Sequence, residues 1–220
     1  MKSMFLGMMV TVLCVVCSSA RATTMVDIQP ATALEGHVYQ YGPAVTNDFI
    51  FVGNPTTNYN NSRGVLKFSL QDVSDEVTSA TLTVSGTWGN AGYLVLEHYT
   101  VSNGNALAVA DWSATATQVG SVQTVPSAAL YTLTWDVTGL VDADRQAGTY
   151  SSYRIVRVNA NGSTWSPEKE GTVYKVDKFT LYSVDRSSTY APTLSVTTVP
   201  EPATLVLLSL GGLLFGRKHS

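Results

Sequence analysis

The chain has 220 residues, of which 45% are hydrophobic and 13% charged, and its formal net charge is −3. This length suits one domain with a sizeable core once the two ends are set aside. Between those ends, residues 23–200 carry nine basic and fifteen acidic residues, without a basic stripe. Phosphate binding needs clustered Lys and Arg, so nucleic acid is not an expected partner.

The N-terminus has the pattern of a secretory signal peptide. A basic start leads into the apolar stretch Met4–Cys17 and then into a small-residue cleavage site at Ala20–Ala22. We expect export through the Sec pathway and loss of residues 1–22. Both cysteines, Cys14 and Cys17, fall within this segment, so the mature chain is expected to lack disulfide and thiol chemistry.

Short β-strands bounded by Pro and Gly are predicted throughout the domain, residues 23–198. Abundant Thr, Ser, Val and Tyr suit a pleated, half-buried surface. The clearest alternation is in Ser79–Ser85, where Ala80, Leu82 and Val84 are predicted to face the core. Further strands are predicted at Met25–Ile28, His37–Tyr41, Asp48–Val52, Gly64–Leu70, Tyr93–Tyr99, Ala114–Val122, Leu130–Val137, Tyr153–Val158, Val173–Val176, Phe179–Val184 and Leu194–Thr198.

Two segments depart from this strand pattern. Asn54–Arg63 is too polar to bury and is predicted to form a loop. Val137–Ala147 is the single helical candidate, with Leu140 and Val141 pointing inward. Many short strands without intervening helices predict an all-β fold, an antiparallel β-sandwich of the jelly-roll type.

Five segments between residues 62 and 196 form an ordered pattern. They are Ser62–Leu70, Val77–Leu82, Trp135–Val141, Phe179–Ser183 and Ala191–Val196. In order and spacing they resemble DNRLRE-type domains, although Ser69 stands where that family usually has Asp. The resemblance implies a jelly-roll sandwich on a secreted bacterial protein, and some relatives in that family act as carbohydrate-binding modules.

The C-terminal segment 199–220 has three parts: a Pro-Glu-Pro opening, a charge-free apolar run, and a basic end. In order they are Pro200, Glu201 and Pro202; Ala203–Gly216; and Arg217 and Lys218. A membrane-spanning helix needs roughly 20 apolar residues, so the apolar run is short for a permanent anchor. Flanking cations stay on the cytoplasmic side, which places the domain outside.

This arrangement resembles the PEP-CTERM sorting signal of bacteria. The resemblance implies recognition, and cleavage near Pro-Glu-Pro, by an exosortase-type membrane protease found in producers of extracellular polysaccharide. The membrane would then hold the chain transiently, and the protein would reach the cell envelope, cell surface or extracellular matrix. Retention of the tail as an anchor is the alternative, with Arg217 and Lys218 snorkelling to the interface.

Catalytic patterns are weak in the sequence. His37 and His98 are the imidazoles of the domain, and Glu97 and His98 are adjacent in a predicted strand, so they face opposite sides. Spacings typical of zinc sites do not occur. We therefore predict a protein that is not an enzyme. A polysaccharide lyase or hydrolase is kept as an alternative, although no acid pair or Tyr–His pair can be assigned from the sequence.

Calcium is the one cofactor worth considering, because it often stabilises loops of jelly-roll domains through oxygen ligands. No calcium-loop motif occurs, so no ligand is assigned. We expect Asp136 to cap the predicted helix instead. The remaining oxygen-bearing candidates lie in loops or at strand ends: Asp27, Asp48, Asp185, Asn58, Asn60 and Asn61.

Carbohydrate binding needs exposed aromatic faces with polar neighbours. Trp88, Trp165 and Tyr59 lie in polar, loop-like sequence, whereas Trp112 and Trp135 resemble core residues. The two loop tryptophans could equally plug the ends of the sandwich. The predicted function is an exported, non-enzymatic protein that binds or is embedded in exopolysaccharide. The alternative is a dedicated carbohydrate-binding module of a polysaccharide-processing system.

Overall fold

A computed structural model describes residues 23–87, 89–100, 106–127, 129–148 and 150–199. The predicted signal peptide and the predicted C-terminal apolar helix therefore lie outside the described residues. Among the described residues, none of the helices has the length and hydrophobicity needed to cross a bilayer.

The described chain is built almost entirely of strands. In order these are β1 (Thr24–Ile28), β2 (Glu35–Tyr39), β3 (Ala44–Val45), β4 (Phe49–Asn54), β5 (Ser62–Ser69), β6 (Glu76–Thr87), β7 (Gly92–Tyr99), β8 (Ala116–Val125), β9 (Tyr131–Asp136), β10 (Tyr150–Val158), β11 (Lys169–Glu170), β12 (Val173–Tyr174), β13 (Asp177–Tyr182) and β14 (Thr193–Val199). One α-helix, α1 (Thr138–Gln146), follows β9.

The strands form two antiparallel layers. One layer has the order β1-β14-β6-β9, and the other has the order β3-β2-β5-β10-β7-β8. Strands β4 and β13 pair with each other and link the layers, β13 to the end of β6 and β4 to β5 at Gly53 and Ser62. The predicted all-β, antiparallel sandwich is confirmed.

Side chains from both layers meet in one buried core. Ala80, Leu82 and Val84 of β6 all face it, as their alternation predicted. On β5 the inward residues are Leu66 and Phe68. The other large members of this core include Ile50, Leu94, Leu96, Leu133, Trp135, Tyr153, Ile155, Phe179, Leu194 and Val196. Trp135 is thus a core residue, as expected.

A buried ion pair lies on the opposite face of β5. Lys67 Nζ is 2.9 Å from Asp111 Oδ2, and the two side chains are 0% and 1% exposed. Lys67 also donates to the carbonyl oxygen of Ala106 at 2.6 Å. Residues 106–115, which we call the strap, therefore cover the outer face of this layer. The sequence did not indicate this, because a Lys in an alternating strand normally faces water.

Two arginines hold the strap as well. Arg154 donates to the carbonyl oxygens of Asp111 at 2.8 Å and Trp112 at 2.7 Å. It also forms an ion pair with Glu97 at 2.7 Å. The guanidinium of Arg63 lies 4.3 Å from the centre of the Trp112 ring. Cations from β5 and β10 therefore satisfy the backbone of a segment that has no strand partners of its own.

The predicted helix is present, whereas one predicted loop boundary was wrong. Helix α1 lies within the predicted range and buries Val141, which confirms that prediction. Asn54 was predicted to begin an exposed loop, and this was wrong, because it ends β4 and is fully buried. Its amide donates to the carbonyl oxygens of Thr56 and Lys175, and its oxygen accepts from the Asn60 N–H. These hydrogen bonds take the place of those that the Asn54 side chain would make with water in an exposed loop.

Strand β2 buries two titratable side chains. Glu35 accepts a hydrogen bond from the Val184 N–H, yet burial raises the pKa of its carboxyl to about 7, and Asp185 adds to this. Burial lowers the pKa of His37 to about 4, and Lys178 contributes. Both side chains are therefore neutral in the folded protein over much of the mildly acidic range.

We expect Asp111→Ala to lower the free energy of unfolding by about 3–5 kcal/mol, because it removes the carboxylate from a buried ammonium. The double variant Lys67→Met, Asp111→Ala should be more stable than Asp111→Ala alone, since it leaves no charge at this position. Urea unfolding measures both values. Equal stability of Asp111→Ala and the original protein would contradict the importance of the ion pair.

We also expect Glu35→Gln to change how stability depends on pH. The lowered pKa of His37 makes stability rise between pH about 4 and 6.5, and the raised pKa of Glu35 makes it fall between pH 4.5 and about 7. The two effects oppose each other in the original protein. Without Glu35, unfolding midpoints in urea should rise from pH about 4 to 6.5 and then stay level.

The matched control for this experiment is Glu76→Gln, because Glu76 is exposed at the start of β6. Its pH profile should follow that of the original protein. Identical profiles for Glu35→Gln and Glu76→Gln would show that the Glu35 carboxyl is not protonated on folding.

Candidate functional site

The loops that hold the predicted sugar-binding aromatics lie at one end of the sandwich. Strands β4 and β6 run in the same direction because both are antiparallel to β13, and β4 and β10 do so because both are antiparallel to β5. Tyr59 follows β4 and Trp165 follows β10. Trp88 directly follows β6 in the sequence and lies outside the described residues. We call this end of the sandwich the loop end.

Three tyrosine rings form a row at the loop end. The Tyr59 ring centre is 6.3 Å from that of Tyr41 and 5.1 Å from that of Tyr174. Tyr41 is 71% exposed, and the other two are half-buried. We call these three residues the tyrosine row. The sequence identified Tyr59 as a candidate but missed its two partners, which come from other segments of the chain.

Backbone and amide hydrogen bonds fix the tyrosine row. The Tyr174 N–H donates to the carbonyl oxygen of Thr57 at 3.0 Å, which ties β12 to the loop containing Tyr59. The Tyr41 N–H donates to the side-chain oxygen of Asn60 at 3.2 Å. The rings are therefore positioned by their own loops. The sequence shows tyrosines in separate polar segments. It does not show which of these segments lie next to each other in the folded chain.

Polar groups accompany the rings. The side-chain amide of Gln40 donates to the Tyr41 hydroxyl at 3.1 Å. The Lys169 ammonium lies 5.5 Å from the centre of the Tyr174 ring, across the β11–β12 pair. Aromatic faces beside amides, hydroxyls and an ammonium form a surface suited to a polyhydroxylated ligand.

Trp165 packs on a cation. The guanidinium of Arg157 lies 4.1 Å from the centre of the Trp165 ring and also pairs with Asp177. The side-chain amide of Asn90 donates to Asp177 at 2.7 Å, so the loop after β6 reaches the same carboxylate. One face of Trp165 is therefore occupied within the protein, which supports a structural role for that face.

Three of the four aspartates considered for calcium accept hydrogen bonds from other groups. Asp27 accepts from the Ser195 hydroxyl at 2.6 Å, and Asp185 accepts from the Thr32 hydroxyl at 2.7 Å. Asp136 accepts from the Thr138 N–H at 3.0 Å, beside the first turn of α1. Within the described ranges, no group of three or more His, Cys, Asp or Glu residues is placed to hold a metal ion.

A cleft of about 420 Å³ lies between β8 and the start of α1. Its lining includes His98, Gln118, Gly120, Asp136 and Thr138. Strands β8 and β9 are not paired with each other, so the two layers part at this edge. The cleft is a second region, separate from the tyrosine row, that could receive a ligand.

A buried hydrogen-bonded group lies behind the cleft. His98 Nε2 is 2.8 Å from Asp144 Oδ2, and Ser151 Oγ is 2.7 Å from the same oxygen. The rings of His98 and Tyr153 lie 5.6 Å apart, so the Tyr–His pair that the sequence could not assign does exist. Glu97 faces the other side of β7 and pairs with Arg154, as the strand alternation predicted.

The Tyr153 hydroxyl is poorly placed for chemistry. The side chain is fully buried, and its oxygen lies 2.7 Å from Ser151 Oγ. Burial raises the pKa of this phenol further above its ordinary value. Asp144 binds both His98 and Ser151, and Ser151 does not contact His98. The serine and the imidazole thus share one carboxylate oxygen, unlike a serine whose hydroxyl is hydrogen-bonded to a histidine base.

The C-terminal segment matches a known family model over residues 198–218. The chain carries a PEP-CTERM protein-sorting motif. The predicted motif residues fall inside the matched range and outside the described residues: Pro200, Glu201, Pro202, Arg217 and Lys218. The first matched residues, Thr198 and Val199, belong to β14.

Comparison with solved structures returned low similarity. The CBM22-1 xylan-binding domain of Paenibacillus barcinonensis Xyn10C is 12% identical, with 83% of this chain and 99% of that domain covered and a TM-score of 0.36. A structure of infectious bursal disease virus, Gx strain, is 12% identical, with 82% and 34% covered and a TM-score of 0.32. Such scores carry no functional argument. No curated protein matches the chain.

Proposed function

We propose that this protein is an exported, non-enzymatic component of the cell surface or extracellular matrix that binds polysaccharide through its loop end. The PEP-CTERM motif supports export and sorting at the envelope. The tyrosine row is the observation that carries the binding proposal. One exposed and two half-buried rings are held in a row at the loop end by hydrogen bonds to Thr57 and Asn60.

The geometry of the row favours an extended glycan over a single sugar. Sugar rings present apolar C–H faces that pack on aromatic rings, while their hydroxyls bond amides and charged groups. Neighbouring tyrosine planes differ by 45° and 50°, so the row presents successive tilted faces. A chain of several sugars can follow these faces. Gln40, Asn60 and Lys169 supply polar contacts along it.

Trp165 and Trp88 stay as proposed additions to this surface. Asn90 and Arg157 both bind Asp177, which brings the two tryptophan loops together beside β13. The Trp165 face that is not packed on Arg157 is the part available to a ligand. A structural Ca²⁺ ion has no supporting ligand cluster in the described part of the chain, and the proposal includes none.

We expect the full chain, purified in mild detergent, to bind a subset of polysaccharides on a glycan array. Tyr59→Ala, which removes the central ring, should weaken the best ligand about tenfold, equivalent to about 1.4 kcal/mol. Tyr41→Ala should act in the same direction with little loss of stability, because Tyr41 is the most exposed ring of the row.

The control is Tyr190→Ala, which removes an exposed tyrosine that stacks on Tyr182 and lies outside the tyrosine row. It should leave binding unchanged. No binding to any glycan, or equal binding by all three variants, would refute the tyrosine row as a binding site. Release of shorter sugars from a bound polysaccharide would instead support the lyase or hydrolase alternative.

We further expect protein recovered from its native host to begin after Ala22 and to lack Leu205–Ser220. Intact-mass spectrometry measures both ends in one experiment. Replacement of Glu201 by Ala should leave the tail attached, because it changes the centre of the sorting motif. A full-length tail on the mature original protein would contradict processing and favour the anchor alternative.

A further inference from the structure

The sorting motif begins inside the last strand of the domain. The family match starts at residue 198, and β14 ends at Val199. Val199 is 7% exposed, and Thr198 is buried as well. Strand β14 is paired with β6 along one edge and with β1 along the other. No spacer therefore separates the folded domain from Pro200.

A sorting protease faces a steric problem at such a junction. Proteins that recognise peptides commonly hold them as extended chains through main-chain hydrogen bonds. Thr198 and Val199 already lie in the sheet opposite Val77 and Glu76 of β6, and Thr198 also lies opposite Thr24 of β1. The protease can gain these residues only when the end of β14 opens. When opening is fast, cleavage follows the population of the open state.

The pairing of β14 with β6 contains an irregularity just before the motif. Thr197 is opposite Ser79, whereas Thr198 is opposite Val77, so Thr78 is the extra residue of a β-bulge. Burial along β6 agrees, since Val77 and Ala80 are buried while Thr78 and Ser79 are both exposed. The Thr78 hydroxyl donates to the Thr197 carbonyl oxygen at 3.2 Å, on the domain side of the break.

Contacts on the two sides of the bulge differ in strength. On the domain side, Leu194 and Val196 are fully buried in the core. The Ser195 hydroxyl also donates to Asp27 of β1 at 2.6 Å. Beyond the bulge, pairing with β1 ends at Thr198, which is opposite Thr24, and Val199 pairs with β6 alone. Two residues can therefore separate while five remain paired.

We propose that the bulge at Thr78 is the joint at which β14 opens for the sorting protease. Opening there gives the protease Thr198 and Val199 as extended chain and leaves Thr193–Thr197 in the sheet. The sandwich thus sets both the rate of processing and the upstream limit of the segment that the protease can bind. This inference rests on the processing part of the proposed function.

The test deletes the bulge. Removal of Thr78 restores simple alternation of buried and exposed residues along β6 and allows regular pairing through Val199. Tail removal from the full chain in the native host, followed after pulse labelling, should slow about fivefold or more, because the open state becomes rarer. The control Thr78→Ala keeps the chain length and the bulge and should be processed at a rate close to the original.

Two further variants separate opening from general damage to the fold. Val199→Ser weakens burial beyond the bulge and should be processed faster than the original protein. A five-residue Gly/Ser spacer between Val199 and Pro200 should also speed processing. In the spacer background, deletion of Thr78 should have no effect, because the protease no longer needs the end of β14.

The outcomes distinguish the two levels of the proposal. Retention of the tail by every variant and by the original protein would refute processing itself. Tail removal at the same rate in the original, Val199→Ser and spacer proteins would refute the proposed opening of β14 at Thr78. Cleavage would then occur before β14 pairs with β6, or independently of that pairing. Slow processing of the Thr78 deletion in the spacer background would likewise count against it and indicate misfolding.

Discussion

Strand β6 is the element on which the rest of the fold depends. It pairs with β9 along one edge and with β14 and then β13 along the other, and it supplies Leu82 and Val84 to the centre of the core. Strands β13 and β14 both come from the last quarter of the chain. The core therefore cannot close until residues just ahead of the sorting motif are in place, which links completion of the fold to the end of the sequence.

Charged residues are few in this chain, yet several are buried on one outer face. Lys67 and Arg154 hold the strap over β5, β10 and β7 through its Asp111, whereas the core between the layers is apolar. A segment without strand partners needs its carbonyl groups satisfied, and long cationic side chains reach them from the sheet. Loss of one charge leaves another without its partner in a dry environment, which explains the large expected effect of Asp111→Ala.

Residue alternation predicted much of the fold but little of the site. It placed Ala80, Leu82 and Val84 correctly because period-2 burial is a local property of one strand. It could not reveal Lys67 as buried or Asn54 as part of β4, because in each case the partners come from distant segments. The same limit applies to the tyrosine row, where Tyr59 was visible as a loop residue but Tyr41 and Tyr174 join it only in the folded chain.

Strand direction places the two functional regions at opposite ends of the domain. Strand β14 is antiparallel to β6, and β6 runs toward the loop end, so Val199 lies at the end away from the tyrosine row. Strand β1 is antiparallel to β14 and begins opposite Thr198, so the start of β1 and the end of β14 lie together at that far end. Under the proposed function, the tyrosine row would therefore face away from the membrane while the C-terminal segment is held there. The protein could then bind a polysaccharide outside the cell while the tail is still attached. Binding would not require prior release of the protein from the membrane.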